Sequence, residues 1–239
     1  MYDVVIRFLA RCFVAGPQIQ LRAQTFADFA TALGDDAFLP KQILEVGPGG
    51  NAVSRLAVGS SKGDWIVQVT GESVDVQYSP VMGDSPIGFE AFCGRAGEHL
   101  GAALDFLDAK AYRVAAVQEG LLKELSAEAM ARTANRLLTG PAPFDSVTPF
   151  EWDWRMAVEV VRRFGAIDET TNTIAIVKRV EATAGGLRLD RLLVSADINT
   201  TPKRADPRYN SLEIRAFLAE SVGWHAKLSD DLLAFIQVS

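Results

Sequence analysis

The apolar residues of segment 65–109 change their spacing along the chain, and this change constrains the fold more than any other feature of the sequence. In Trp65–Val69 and again in Val74–Tyr78 every second residue is apolar, which is typical of half-buried strands. In Gly88–Ala109 the apolar residues recur every three or four positions, which predicts a long helix with one buried stripe. The segment therefore predicts an antiparallel meander followed by a helix that packs on one face of a sheet.

A similar order of elements recurs after residue 150. Asp153–Arg162 alternates apolar with polar residues, and two further predicted strands follow in Asn172–Ala182 and Leu187–Asn199. The C-terminal region reads as helical, and Gly223 followed by Ser229 predicts that one helix ends there and another begins. The repetition predicts an α+β fold of two similar half-domains, each an antiparallel β-meander with long amphipathic helices packed on one face.

The boundary between these half-domains is predicted at the stretch Gly140-Pro141-Ala142-Pro143. Proline lacks a backbone N–H and clashes with the preceding turn, so this stretch ends the helix predicted over Ser126–Thr139. We therefore assign residues 1–140 to an N-terminal α+β half-domain. Residues 144–239 form the C-terminal half-domain, a meander with C-terminal helices.

Composition and charge limit the classes of function. The 239 residues are 49% hydrophobic and 23% charged, which is typical of a globular protein and excludes disorder over most of the chain. The net charge of −6 speaks against broad nucleic-acid binding, which needs a basic surface. No basic leader and no apolar window of ~20 residues is present. With two distant cysteines, Cys12 and Cys93, the sequence predicts a reduced, cytoplasmic, soluble protein without a membrane partner.

Sequence motifs for cofactors and metals are absent. The glycine-rich run 47–51 follows a predicted strand, but it lacks the lysine of a phosphate-binding loop and leads into another strand rather than a helix. The two histidines, His99 and His225, have neither the spacing of a zinc site nor a neighbouring cysteine pair. The nucleophile motif Gly-x-Ser-x-Gly does not occur. The sequence predicts no cofactor and no metal.

One group of polar residues suggests a catalytic pocket. Asp197 and Asn199 share one face of a predicted strand, and Glu181 lies on the neighbouring predicted strand. Together with His225 as a base, these residues would suit a carboxylate-dependent hydrolase or nuclease, provided that all four side chains converge. The alternative interpretation is structural, because Asp and Asn near strand ends often bond to nearby backbone and start a turn.

Two other groups of residues suggest a partner-binding surface. Trp152 and Trp154 lie on one side of the predicted strand that begins the second half-domain, and tryptophan dominates many interface hot spots. If the helices cover that side, the same residues belong to the core, and we expect at least one of them to be more than half buried where the halves meet. Lys203, Arg204 and Arg208 lie in a polar loop where they can bind an anionic partner or remain solvated.

Three stretches of the chain resemble a sporadically distributed family of uncharacterised bacterial proteins of about this length. The resemblance implies an α+β fold, and it implies a bacterial or phage origin in the setting of mobile or defence-associated genes. It implies no activity. The family's closing helix carries a Leu-His pair where this chain has Trp224-His225. The similar stretches are Trp65–Tyr78 with Phe89–Leu107 and Tyr112–Leu122, Leu192–Asn199, and the closing segment from His225 and Leu228 to Leu232-Leu233-Ala234-Phe235.

Two functional hypotheses follow from these observations. The first is a non-enzymatic binding or assembly protein that contacts a protein partner or a second copy of itself, because exposed edge strands in meanders invite strand addition. The second is the carboxylate-dependent enzyme. The two hypotheses differ in what they require of the fold, which is a free sheet edge for the first and a shared pocket for the second.

Overall fold

The computed structural model describes residues 2–16, 19–34, 38–46, 50–138, 149, 151–184 and 187–237. This part of the chain forms four helices and ten strands. The helices are α1 (Ala23–Ala32), α2 (Phe89–Phe106), α3 (Ala127–Leu137) and α4 (Ser211–Gln237). The strands are β1 (Val4–Val14), β2 (Phe38–Pro40), β3 (Ile43–Val46), β4 (Ala52–Ser60), β5 (Trp65–Val69), β6 (Ser73–Tyr78), β7 (Ala111–Leu121), β8 (Asp153–Phe164), β9 (Ile167–Ala184) and β10 (Leu187–Thr200).

All ten strands belong to one antiparallel sheet. Its order is β2-β4-β5-β6-β1-β7-β10-β9-β8, and β3 pairs with β4 beside β2. The two predicted meanders are present as β4-β5-β6 and β8-β9-β10. They are joined through the pair β1–β7, which runs through the middle of the sheet. The predicted α+β class with antiparallel meanders is therefore confirmed.

The order of elements repeats once along the chain. The series β1-α1-β2-β3-β4-β5-β6-α2 is followed by β7-α3-β8-β9-β10-α4. Apart from the two short strands β2 and β3, each series is a strand, a helix, a three-stranded meander and a long helix. The predicted boundary between residues 140 and 144 lies outside the described residues and stays a prediction. The repeated order suggests a different boundary, between α2 and β7.

The helices α2 and α4 pack side by side on one face of the sheet. Phe92, Ala96, Leu100 and Leu104 form the predicted apolar stripe of α2 and are buried. Two glycines of α2 allow α4 to approach closely. A Cβ atom at Gly97 would lie 3.3 Å from Arg215 Cγ, and one at Gly101 would lie 3.1 Å from Ser211 Cβ. No helix of the described residues is long and apolar enough to cross a membrane.

The C-terminal helix α4 is continuous, so the predicted interruption between Gly223 and Ser229 is wrong. Ser229 is 8% exposed and lies inside the helix instead of capping a new one. A glycine within a helix costs only ~1 kcal/mol. Buried residues on both sides of Gly223, among them Leu218 and Leu232, provide packing that outweighs this cost.

Candidate functional site

Asp197 and Asn199 lie together on the sheet face that points away from α2 and α4. Their neighbour Ile198 packs into the core with Phe217 of α4, and side chains alternate between the two faces of a strand. Asn199 donates to Asp197 Oδ1 (2.9 Å), and its own Oδ1 accepts from Arg113 Nη2 (2.9 Å) and Asn172 Nδ2 (3.0 Å). The predicted pairing of Asp197 with Asn199 is thus present, within a hydrogen-bonded network.

Burial raises the pKa of Asp197, and the hydrogen bond from Asn199 together with the positive charge of Arg113 opposes this effect only in part. The folded protein therefore holds the Asp197 proton up to a higher pH than the unfolded chain does. Asp197 therefore contributes to the free energy of unfolding in its protonated form. This contribution is fully present below the pKa that Asp197 has in the unfolded chain, and it is lost as the pH rises through the higher pKa that Asp197 has in the folded protein.

This pH dependence gives a prediction for the variant Asp197→Asn. Asparagine has the same side-chain shape as aspartate, and its carbonyl oxygen can still accept the hydrogen bond from Asn199. We compare the melting temperature of the parent minus that of the variant at two pH values. We expect this difference to be smaller at pH 7 than at pH 4. Thermal melts by circular dichroism at both pH values measure this difference. The control Asp105→Asn removes a carboxylate from an exposed position of α2. A difference that is constant or rises with pH would contradict the prediction.

His225 lies on the other side of the sheet from Asp197. Its side chain is fully buried, with Nδ1 3.0 Å from the Ser221 carbonyl oxygen and Nε2 3.3 Å from the Ala196 carbonyl oxygen. The imidazole also packs on the Phe89 ring, with centroids 4.7 Å apart. Burial lowers the pKa of His225 to about 4, so the ring is neutral near pH 7. These contacts give His225 a structural role between α4 and the sheet.

Glu181 is also remote from Asp197. In the β9–β10 ladder Glu181 is opposite Asp190, whereas Asp197 is opposite Ile174. Seven positions of β9 separate Ile174 from Glu181, about 23 Å at ~3.3 Å per residue. The structure therefore does not bring the four predicted residues into one pocket, and the hydrolase or nuclease hypothesis lacks the convergence that it requires. In the described part of the chain no three His, Cys, Asp or Glu residues are grouped as metal ligands.

The two tryptophans have different environments. Trp152 is only 7% exposed and belongs to a second core cluster with Met130 and Val177. The expectation that one tryptophan is more than half buried is thus confirmed, but the assignment of Trp152 to a partner-binding surface is wrong. The same cluster contains residues from both predicted half-domains, since Met130 precedes and Val177 follows the predicted boundary, which agrees with the expectation that this tryptophan lies where the halves meet. Trp154 is half-buried, and its ring lies 6.1 Å from that of Phe235.

The three basic residues of the polar loop all form ion pairs within the protein, and Arg204 and Arg208 share Asp206 as a partner. Lys203 binds Glu159 (2.7 Å), and Arg204 binds Asp206 (3.3 Å). The Arg208 side chain is 13% exposed and donates to Glu169 (3.2 Å), which also accepts from the Tyr209 hydroxyl (2.7 Å). Two of the three predicted residues thus meet at one carboxylate while Lys203 binds another, and Arg208 also belongs to a partly buried polar cluster.

The sequence did not predict that β8 is a long free edge. β8 has 12 residues, pairs only with β9 among the described strands, and is exposed at every residue from Arg155 to Val161. The ladder between β8 and β9 begins with Asp153 opposite Lys178. One position earlier, the backbone N–H of Arg179 donates to the Trp152 carbonyl oxygen (3.1 Å), so the even-numbered residue 152 is hydrogen-bonded towards β9. Hydrogen-bonded pairs alternate along such a ladder. The backbone N–H and C=O groups of the odd-numbered residues of β8 therefore point away from β9.

An apolar groove lies beside this edge, between β8 and α4. Met156 and Val158 are each 42% exposed and Val160 is 38% exposed, on the helix-facing side of the strand. Trp224, Leu228 and Phe235 of α4 form the opposite wall, and the volume is about 670 Å³. We call this the β8–α4 groove. The alternating apolar residues of β8 were visible in the sequence, but their exposure depends on the position of β8 at the end of the sheet.

A second missed feature is an ion pair on the outer sheet face, in which the carboxylate is buried and the arginine is partly exposed. Asp75 is 1% exposed and accepts two hydrogen bonds from the Arg11 guanidinium, at 2.7 and 2.6 Å. Ser73 and Gln68 donate to the same carboxylate at 2.8 and 3.1 Å. The hydrogen bonds between Arg11 and Asp75 raise the pKa of Arg11. The only signal in the sequence is that these residues stand at alternate, non-core positions of apolar strands.

No protein-family model and no curated protein matches the chain. Among solved structures, the chain is similar to the di-domain ARO/CYC StfQ from the steffimycin biosynthetic pathway, with a TM-score of 0.21 and 10% sequence identity. The similarity covers 96% of each chain. At this TM-score the likeness carries no argument about function.

Proposed function

We propose that the protein is a non-enzymatic binding or assembly protein that contacts its partner through the free edge of β8 and the β8–α4 groove. The observation that carries this proposal is the long edge of β8, with seven consecutive exposed residues from Arg155 to Val161. Unpaired N–H and C=O groups along an edge strand are a template for another strand. Strand addition gives affinity through the main chain, and pockets for alternate side chains give specificity.

The opposite end of the sheet supports this choice of edge. There the sheet ends with two short strands, β2 of three residues and β3 of four. β2 also ends at Pro40, which has no N–H to donate. Short strands and proline are common ways in which proteins block an edge. β8 has neither protection over its exposed stretch, since Asp153–Phe164 contains no proline.

The β8–α4 groove supplies the apolar part of the proposed interface. A strand added to β8 would place alternate side chains over Met156, Val158 and Val160 and against the α4 wall. Lys227 and Asp231 stand at the groove and bind each other at 2.9 Å, which gives the apolar surface a polar border. An apolar centre with a polar rim is the usual anatomy of a protein interface.

Under the same proposal the protein works in the cytoplasm of a bacterium or of a phage-infected cell. Both cysteines are free and buried. Burial raises the pKa of the Cys93 thiol to about 12, so this thiol is unreactive near neutral pH. Free, inert thiols are consistent with a reducing compartment.

Replacement of Ala157 by proline tests this function. The Ala157 N–H points away from β9, so proline there removes a donor for an added strand but no bond of the β8–β9 ladder. We expect Ala157→Pro to abolish self-association in light scattering and retention of partners in pull-downs from host lysate. Ala157→Thr keeps the N–H and is the matched control. A parent protein that is strictly monomeric and retains no partner, or a proline variant that associates like the parent, would overturn the proposal.

A further inference from the structure

We propose that the occupant of the β8 edge is a second copy of the chain, paired β8 to β8 about a twofold axis at Ala157. This inference rests on the proposed function, because it names the partner of the same edge. Antiparallel pairing of two identical strands is isologous, so each contact occurs twice. The two ten-stranded sheets would then continue into one.

Charge complementarity supports this register, because it forms two Arg155–Glu159 pairs near the centre of the ladder. With the axis at Ala157, Arg155 of one copy is directly opposite Glu159 of the other, and Asp153 is opposite Val161. An axis one position earlier, at Met156, brings Asp153 against Glu159. An axis at Glu159 brings this residue against itself. Opposite charges directly across a ladder stabilise it, and like charges destabilise it. In the Ala157 register none of these charged residues meets its own sign.

The backbone geometry permits the same register. Odd-numbered residues of β8 have N–H and C=O groups that point outward, and the axis at Ala157 places odd-numbered residues opposite odd-numbered ones. These are the pairs that exchange hydrogen bonds in an antiparallel ladder. Pairing also keeps each face of the sheet intact, so Met156 lies opposite Val158 of the second copy, and the two apolar rows lie side by side in contact.

The intramolecular partner of Glu159 does not prevent this pairing. Lys203 and Glu159 form an ion pair in which the side chains are 68% and 51% exposed. Such exposed pairs contribute little, and a carboxylate can accept from two cations at once. Arg155 and Glu159 share the outer face of the sheet, so their side chains meet across the dimer on the side away from the groove.

Charge reversal tests the register and the identity of the partner together. We expect Arg155→Glu and Glu159→Arg each to raise the dimer dissociation constant about tenfold or more in analytical ultracentrifugation. The double variant restores dimerisation, because the two exchanged side chains again face each other with opposite charges. An equimolar mixture of the two single variants also dimerises, since each strand of the mixed pair faces opposite charges. Arg132→Glu on the exposed face of α3 is the control and leaves the constant unchanged.

Amide hydrogen exchange gives a second measurement on the same samples. The amides of Arg155, Ala157 and Glu159 exchange slowly in the parent dimer, and the amides at these three positions exchange fast in either single variant. Melts by circular dichroism show that all variants fold. A parent dimer that both single variants leave intact would overturn this inference. The inference would also be overturned if the parent stays monomeric and Ala157→Pro abolishes retention of a different protein. In that case the proposed function would still hold. A strict monomer without any partner would overturn both.

Discussion

Trp152→Ala is expected to lower the free energy of unfolding by ~3–5 kcal/mol, the usual cost of truncating a buried tryptophan to alanine. Trp152 is 7% exposed and lies in the second core cluster with Met130, Val177 and Leu232, which come from α3, β9 and α4. Truncation therefore opens a cavity where three elements meet. Since a domain is held folded by only ~5–15 kcal/mol, urea denaturation should show a marked loss of stability.

Trp154→Ala is the matched control for this measurement. The two residues are separated by one position, but Trp154 is only half-buried and contacts Phe235 at the margin of the β8–α4 groove. We expect this variant to lose ~1 kcal/mol, the order of one aromatic contact. Equal losses for the two variants, or a larger loss for Trp154→Ala, would show that the second core cluster does not hold β8 in place.

The strands and α2 could be predicted because their signals are local. The alternation in Trp65–Val69 and the stripe of Gly88–Ala109 each report which face of one element is buried, and the structure places both elements within a few residues of their predicted bounds. Gly223 was misread for the opposite reason. A local signal predicted a break, but tertiary packing on both sides of the glycine determines the helix.

The candidate site could be predicted only in part, because it depends on which strands are neighbours. Asp197 and Asn199 were recognised as a pair because two positions of one strand share a face. That His225 lies on the opposite face, and that Glu181 lies far along β9, follows from the ladder between β9 and β10 and from the packing of α4. Likewise, the alternation of β8 predicts an apolar side, but only the order of the whole sheet shows that β8 lies at its end.

The second large effect is expected for Asp75→Ala, which should lower the free energy of unfolding by ~1–3 kcal/mol, the usual cost of leaving a buried hydrogen-bond donor without its acceptor. Asp75 is 1% exposed and accepts hydrogen bonds from Arg11, Ser73 and Gln68. Alanine leaves all three donors without this acceptor, and of these Ser73 is buried, whereas the Arg11 side chain is 37% exposed and can turn to solvent. Denaturant unfolding of the parent and the variant measures the difference.

The control Asp84→Ala removes the partner of an exposed pair, since the side chains of Lys62 and Asp84 are 70% and 53% exposed. We expect a loss below ~1 kcal/mol there. Replacing both partners of the Arg11–Asp75 pair, in Arg11→Leu with Asp75→Leu, should recover part of the loss seen for Asp75→Ala. The reason is that the double variant leaves no guanidinium without its carboxylate partner, and the leucine side chains fill the space that alanine leaves open. A double variant that is less stable than Asp75→Ala would contradict this explanation. The loss of stability in Asp75→Ala would then come from the missing ion pair between β1 and β6 and not from the unpaired charge of Arg11.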